Sequence, residues 1–176
     1  EWLVIETEPG DARTLFTGYV AILALIPALC GFIGASIIGF SVSAGTFRMP
    51  LLEGILNALV SYIFSFVIVY IVALIIDLLA PNFRGRRNFP SALKLSVYSF
   101  TPAWLAGIFL LLPGLRFLTI LGLYGFYLLW TGLSPLMGAP RDKSFFYGLA
   151  VVVGAIVVTI ILGFIQGMIV GVPWAF

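Results

Sequence analysis

Charge is scarce in this 176-residue chain. Asp, Glu, Lys and Arg together make up 9% of the residues, whereas 62% are hydrophobic. Soluble domains carry about 25% charged residues, so this chain could not cover its surface with polar groups in water. The composition therefore excludes an ordinary soluble domain and predicts an integral membrane protein.

Histidine is absent, and cysteine occurs once, as Cys30. A single cysteine excludes an intrachain disulfide, and a zinc site built from His and Cys cannot be assembled. A catalytic nucleophile needs a base and an orienting group close to it. Cys30 lies in an apolar run, and each of the two carboxylates that fall within the apolar runs lacks a second carboxylate nearby. The sequence therefore predicts no metal, no cofactor and no catalytic residue.

Five apolar runs reach the length of about 20 residues that a bilayer crossing requires. They extend over about 15–40, 51–80, 95–112, 117–136 and 145–172. Only the short stretch "PGLR" separates the third run from the fourth, so these two helices should form a tight antiparallel hairpin. The predicted fold class is an all-α integral membrane protein, with a bundle of five transmembrane helices over residues 14–176.

The distribution of cations predicts the orientation of the bundle. With the N-terminus inside and the C-terminus outside, most cations fall on the inner side. The inner cations are Arg13, Arg84, Arg86, Arg87, Lys94, Arg141 and Lys143, and the outer cations are Arg48 and Arg116. This bias accounts for the short "RGRR" cluster, so no nucleic-acid partner is expected.

Residues 1–13, "EWLVIETEPGDAR", differ from the rest of the chain. Trp2 and Ile5 are three residues apart, with glutamates on other faces. The pattern predicts an N-terminal interfacial segment. Either it is a short amphipathic helix on the inner membrane surface that covers the basic loop, or it is an unstructured tail. Because the chain begins at Glu1 rather than Met, we expect residues to precede it in the natural protein.

Two carboxylates fall within the predicted spans, where charged residues are functional candidates by default. Glu53 is in the first turn of its helix, where the helix dipole favours an anion, and Asp77 is in the last turn, where the dipole disfavours one. Arg84, Arg86 and Arg87 follow Asp77 closely. Asp77 is therefore either a structural clamp for this basic loop or a carboxylate that binds a proton or a cation.

Small residues recur at helical spacing in the first and fifth runs. They are Gly31, Ala35 and Gly39 in the first run and Gly163, Gly167 and Gly171 in the fifth. Such rows let two helices approach closely, either within the bundle or between protomers. Polar residues at similar spacing in the second and fifth runs should hydrogen-bond between helices. They are Asn57, Ser61, Ser65, Thr159 and Gln166.

The stretch "YSFTPAWLAG" places Pro102 inside the third helix, close to its inner end. Proline cannot donate to the carbonyl of Tyr98, so we expect a kink and a wedge between Tyr98 and Trp104. Ser99 and Thr101 supply hydroxyl groups nearby. The wedge is either a packing joint or a site for a lipid or an ion.

With "ALKLSVYSFTPAWLAGI", "LGLYGFYLLWTGLSPLMGAPRDKSFFYG" and "IIDLLAPNF", the chain resembles the Yip-domain family of five-helix membrane proteins over roughly residues 2–170. Tyr98, Ser99 and Pro102 resemble the pattern of the family's third helix. The likeness is greatest to the bacterial branch, which implies a bacterial inner membrane with a cytoplasmic N-terminus. Eukaryotic members interact with Rab/Ypt GTPases. This chain lacks their acidic, tyrosine, glycine and proline motif before the first span, which argues against a Rab-type partner.

Two functions follow as hypotheses. The first is a non-catalytic membrane protein that binds or organises partners, namely membrane lipid, further copies of itself, or the subunits of a larger membrane complex. The alternative is a small oligomeric transporter or channel for an ion or small solute, which would use Asp77 and the kinked third helix.

Overall fold

The computed structural model describes residues 2, 5, 14–42 and 45–171. Within this part of the chain, five helices are long and apolar enough to cross a membrane. They are α1 (Leu15–Ile38), α2 (Leu51–Phe83), α3 (Phe89–Leu111), α4 (Pro113–Met137) and α5 (Arg141–Val170). The predicted class, a five-helix membrane protein, is therefore confirmed.

The third helix begins earlier than its apolar run. The Asn88 side chain caps it by accepting a hydrogen bond from the Ser91 N–H at 3.4 Å, and Pro90 occupies the first turn. Both are favourable at a helix start. The expected start near Leu95 is wrong because this first part of α3 is packed against protein and does not need to be strongly apolar. From Phe89 to Pro102 the helix rises roughly 20 Å, so the proline lies deeper than predicted.

The helix α3 forms the centre of the bundle. In its most apolar stretch 44% of the residues are buried, against 11–22% in the other four helices. One apolar cluster joins Leu95 of α3 to α2, α4 and α5, and it includes Leu133 and Tyr147. A second cluster joins Val97 and Trp104 of α3 to α1 and α2. Each of the other four helices thus packs with α3 in one or both clusters.

Helices α3 and α4 form the hairpin expected from their short connection, which is Leu112 alone. The first part of α4, Pro113–Leu123, is a 3₁₀ helix, and the rest, Tyr124–Met137, is α-helical. Gly125 lies directly on the backbone carbonyl of Ser99 in α3, so that a Cβ at this position would overlap the oxygen. A glycine therefore sets the close approach of these two helices.

A short antiparallel ribbon connects α1 to α2. Its strands are β1 (Phe40–Val42) and β2 (Gly45–Phe47), with Phe40 paired with Phe47. Gly39, which has a φ of 81°, separates α1 from the ribbon. The sequence analysis predicts only helices and a loop here. Aromatic and β-branched residues in this segment favour an extended backbone.

The connections define two ends of the bundle. The basic end holds the loop with Arg84, Arg86 and Arg87, and the Arg86 N–H donates to the carbonyl of Met137 at the end of α4, at 2.7 Å. The opposite end holds the ribbon and Leu112. There, the Met49 N–H donates to the carbonyl of Ala35 at 3.0 Å.

Candidate functional site

A cavity of about 780 Å³ lies in the half of the bundle that includes the opposite end. All five helices contribute to its lining, most of all α1, α2 and α5. Its size falls within the roughly 300–1,000 Å³ of ligand pockets in general. The space exists because the side chains facing it from α1 and α5 are mostly small.

The two rows of small residues face this cavity. Gly31 and Ala35 of α1 line it, and so do Gly163 and Gly167 of α5. A Cβ added at Gly163 would meet nothing within 4 Å. The structure therefore places these four residues around a space. Whether they serve helix packing or oligomer contact stays a prediction.

The remaining members of the two rows, Gly39 and Gly171, lie just beyond the ends of α1 and α5. Both have a positive φ, of 81° and 72° respectively. Glycine adopts such conformations at helix C-termini with little strain. Each therefore has a local structural role in ending its helix.

A polar cluster forms one wall of the cavity. The Gln166 Nε2 atom donates to Asn57 Oδ1 and to Ser61 Oγ, both at 2.7 Å, and so ties α5 to α2. This confirms the expected hydrogen bonding between helices for these three residues. Ser65 and Thr159 instead donate to carbonyls of their own helices, at 3.0 and 2.8 Å. The cluster leaves a fixed polar strip along an otherwise largely apolar wall.

Arg116 lies at the rim of the cavity and is exposed. It belongs to the 3₁₀ part of α4, close to the start of that helix. Among the described lining residues it is the one with an ionisable side chain. A guanidinium at the mouth of a largely apolar cavity is suited to an anionic group.

The Pro102 region is packed with aromatic side chains. The ring of Tyr98 lies 5.2 Å from that of Tyr19 and 6.4 Å from that of Trp2, both in edge-on geometry. The Tyr19 hydroxyl hydrogen-bonds to Thr101 Oγ1 at 2.9 Å. These contacts favour the packing joint over a ligand site, although the role of the motif stays a prediction.

Two further members of the "YSFTPAW" motif are buried in this region. Trp104 belongs to the apolar cluster between α1, α2 and α3. The Ser99 Oγ atom is buried and finds no hydrogen-bond partner within the described residues. None of these motif residues lines the cavity at the opposite end, so the motif and the cavity are separate features of the described part of the chain.

Lys94, which the sequence analysis counts only as an inner cation, is a buried residue with 6% of its surface exposed. Its Nζ atom donates to the backbone carbonyl of Ile5 at 2.7 Å. Trp2 donates from Nε1 to Thr131 Oγ1 at 3.2 Å and lies against Gly132. The described residues of the N-terminal segment thus pack on α3 and α4. The remainder of residues 1–13 lies outside the described part.

Asp77 has a buried Oδ1 atom that receives no hydrogen bond within the described part of the chain. Its neighbour Ile76 accepts a hydrogen bond from the Tyr147 hydroxyl of α5 through its backbone carbonyl. Phe83 stacks on the ring of Tyr147 at 4.9 Å. The end of α2 is therefore fixed to α5 by Tyr147, and the clamp hypothesis for Asp77 itself stays a prediction.

The three arginines of the basic loop have exposed side chains, and the loop is held by backbone groups. Besides the bond from Arg86 to Met137, the Gly85 N–H donates to the carbonyl of Ala80 at 2.8 Å. Arg84 has a φ of 59°, and Arg87 is exposed. Glu53 lies half-buried in the first turn of α2, as predicted from its position in the sequence.

The packed N-terminal residues and most of the bundle fall within a known family model. The model described as Yip1 domain matches residues 1–163. The chain belongs to the Yip1 domain family. The resemblance inferred from the sequence motifs is thereby confirmed, and the match includes the N-terminal segment as well as four helices and most of α5.

Two relatives are similar over nearly the whole chain. Each is called inner membrane protein YohC, one from Escherichia coli strain K12 and one from E. coli O6:H1. Each is 25% identical over 168 residues, which covers 92% of this chain and 86% of the relative. No solved structure matches the chain.

Proposed function

We propose that this Yip1 domain protein is a non-catalytic component of a bacterial inner membrane that binds or organises other membrane constituents. The cavity of about 780 Å³ between α1, α2 and α5 is the observation that carries this proposal. A space of this kind at the membrane-spanning part of a small bundle suits a bound constituent of the membrane. The partner is lipid, a further copy of the chain, or a subunit of a larger membrane complex.

The chemistry of the lining supports binding without catalysis. Asn57, Ser61 and Gln166 are already joined by hydrogen bonds, and Arg116 is the one ionisable side chain among the described lining residues. A guanidinium stays protonated and does not act as a general base. Such a lining can orient a partner, and its described residues include no general base that could activate the Ser or Thr hydroxyl groups as nucleophiles.

The proposed location rests on the relatives, which are named inner membrane proteins, and on the positions of the cations. With the basic end on the cytoplasmic side, the protein follows the positive-inside rule. The N-terminal residues then lie on the cytoplasmic side, and the cavity lies in the half of the membrane away from the cytoplasm. A Rab-type partner forms no part of the proposal.

A reconstitution experiment tests the proposed function. The purified protein in liposomes should give no flux of protons, potassium or small anions above that of empty liposomes, and Asp77→Asn should change nothing. A flux that requires the protein and is lost in Asp77→Asn would overturn the proposal in favour of a transporter. Co-purification in mild detergent should show a bound constituent that Gly163→Leu loses and Gly18→Leu retains.

The two glycine variants are a matched pair. Neither Gly163 nor Gly18 has an atom within 4 Å of an added Cβ, so neither substitution meets an obstacle at the Cβ position. Gly163 lines the cavity and Gly18 does not. Equal loss of the bound constituent in both variants would separate it from the cavity and contradict the proposal.

A further inference from the structure

The lining of the cavity also indicates the chemistry of its occupant. We propose that the cavity binds one anionic phospholipid of the surrounding bilayer, with the lipid phosphate at Arg116 and one acyl chain along the walls formed by α1 and α5. This inference deepens the proposed function and rests on it. The apolar wall, the polar strip and the charge at the rim support it.

The walls from α1 and α5 suit a hydrocarbon chain. Ala28 and Gly31 face the cavity from α1, and Ile160 and Gly163 face it from α5. Together they present backbone, methyl and methylene groups, with no ionisable side chain between them. An acyl chain can fill an apolar space of this kind by dispersion contacts. A polar solute carried by a transporter would not cover these apolar surfaces.

The polar strip suits the ester region of the lipid. Asn57 Oδ1 and Ser61 Oγ accept hydrogen bonds from Gln166. Because an amide and a hydroxyl each have donors as well as acceptors, the Asn57 Nδ2 group and the Ser61 hydroxyl can donate in turn. The carbonyl oxygens of glycerol esters accept such bonds. The strip would therefore fix the depth of a lipid that also has an acyl chain in the cavity.

The charge at the rim suits the phosphate. Arg116 lies near the start of a spanning helix, which is the level of lipid headgroups. Its planar guanidinium can form two parallel hydrogen bonds to a phosphate. No carboxylate is present among the described lining residues, and Glu53, at the same end, does not line the cavity. Arg116 supplies a positive charge at the rim, and a positive charge favours an anionic headgroup over a zwitterionic one.

Native mass spectrometry of the purified full chain tests this inference. Phosphatidylglycerol and phosphatidylethanolamine with identical acyl chains are added separately, and the number of bound lipids and their apparent affinities are measured. The wild-type protein should bind one phosphatidylglycerol per chain in preference to phosphatidylethanolamine. Arg116→Gln should weaken phosphatidylglycerol binding about tenfold, because a charged hydrogen-bonding partner is lost. Gly163→Leu should abolish the binding of both lipids.

Two matched variants serve as controls. Arg48→Gln removes the other cation of the opposite end, which does not line the cavity, and Gly18→Leu adds the same bulk elsewhere. Both should bind phosphatidylglycerol like the wild-type protein. Melting temperatures of all four variants should stay close to that of the wild-type protein, which shows that each is folded.

Three results would overturn the lipid proposal. The first is an equal effect of Arg116→Gln and Arg48→Gln on lipid binding. The second is lipid binding that survives Gly163→Leu. The third is a dimer mass that Gly163→Leu loses while no lipid is lost. In the third case the proposed function stands, since the cavity then binds a second copy. A solute flux in the reconstitution experiment would instead remove the proposed function itself, so the two failures are distinguishable.

Discussion

Asp77 is the residue whose surroundings fit its chemistry least. Its Oδ1 atom is buried and receives no hydrogen bond within the described part of the chain. It also lies near the C-terminus of the α-helical part of α2, Leu51–Leu79, where the helix dipole opposes an anion. The buried Oδ1 atom has therefore lost its hydration without gaining a donor among the described residues.

We therefore predict that Asp77→Asn stabilises the protein. The gain should be about 1 kcal/mol, since the amide carries no charge and loses less on burial. Thermal unfolding in detergent, followed by circular dichroism, measures the effect. As a control, Glu53→Gln should lower the melting temperature slightly, because Glu53 lies in the first turn of α2, where an anion is favoured.

The opposite result at Asp77 would be equally informative. A clear drop in melting temperature on Asp77→Asn would mean that a cation holds the carboxylate, as the clamp hypothesis states. The clamp partners would then be Arg84, Arg86 or Arg87. Single Arg→Gln variants would show which one, because its effect should not add to that of Asp77→Asn.

Among the helices, contacts between α1, α3 and α4 depend on glycines that the spacing analysis does not select. A Cβ at Gly34 would overlap the backbone carbonyl of Leu110, and one at Gly125 would overlap that of Ser99. A carbonyl cannot move aside as the end of a flexible side chain can. The positions where helices meet most closely are therefore outside the regular rows of small residues.

We predict that Gly125→Ala destabilises the protein far more than Gly163→Ala does. The added methyl of Gly125→Ala must push α4 away from α3, and overpacking of this kind costs about 1–3 kcal/mol. Gly163→Ala adds the same methyl facing open space, so its melting temperature should match the wild-type value or exceed it. Thermal unfolding of both variants checks this, and equal losses would contradict the close contact of α4 with α3.

The limits of sequence-based prediction are clearest in α3. Hydropathy identifies helices whose side chains face lipid, and it predicts α1, α2 and α5 with nearly correct bounds. The first turns of α3 face protein instead. There, Lys94 donates to the Ile5 carbonyl and Ser96 donates to the Val69 carbonyl at 2.9 Å. These polar residues lower the hydropathy of the segment, which is why the sequence analysis starts α3 too late.

The cavity lies beyond sequence-based prediction for a different reason. The spacing of Gly31 and Ala35, or of Gly163 and Gly167, identifies one face of a helix. It does not determine what lies opposite that face. Only the arrangement of all five helices shows that these two rows face a common space, whereas the Gln166 contacts to Asn57 and Ser61 follow the sequence expectation.

For the whole molecule, the two ends differ in charge and in structure. The basic end carries the exposed arginines and the docked N-terminal residues, and the opposite end carries the cavity with Arg116. Under the positive-inside rule, we expect the arginines to set the orientation of the bundle in the membrane. Their side chains do not dock the basic loop, because the described bonds of that loop run between backbone groups.

We predict that Arg84→Gln, Arg86→Gln and Arg87→Gln combined change the orientation of the protein and leave the basic loop docked. The backbone bond from Arg86 to Met137 does not require a charged side chain. A cysteine introduced at position 48, in a Cys30→Ser background, should be labelled from outside the cell by a membrane-impermeant maleimide. In the triple variant a substantial fraction should become inaccessible from outside, since three of the seven inner cations are lost.

The triple variant also separates orientation from folding. Its melting temperature in detergent should stay close to that of the wild-type protein. In detergent there is no membrane orientation, so this measurement reports only the contacts of the loop. Arg116→Gln in the same Arg48→Cys background is the matched control, because it removes the remaining cation of the opposite end and should make the wild-type orientation more uniform. Full external labelling of the triple variant together with a lower melting temperature would contradict the prediction. The arginine side chains would then hold the basic loop and would not set the orientation.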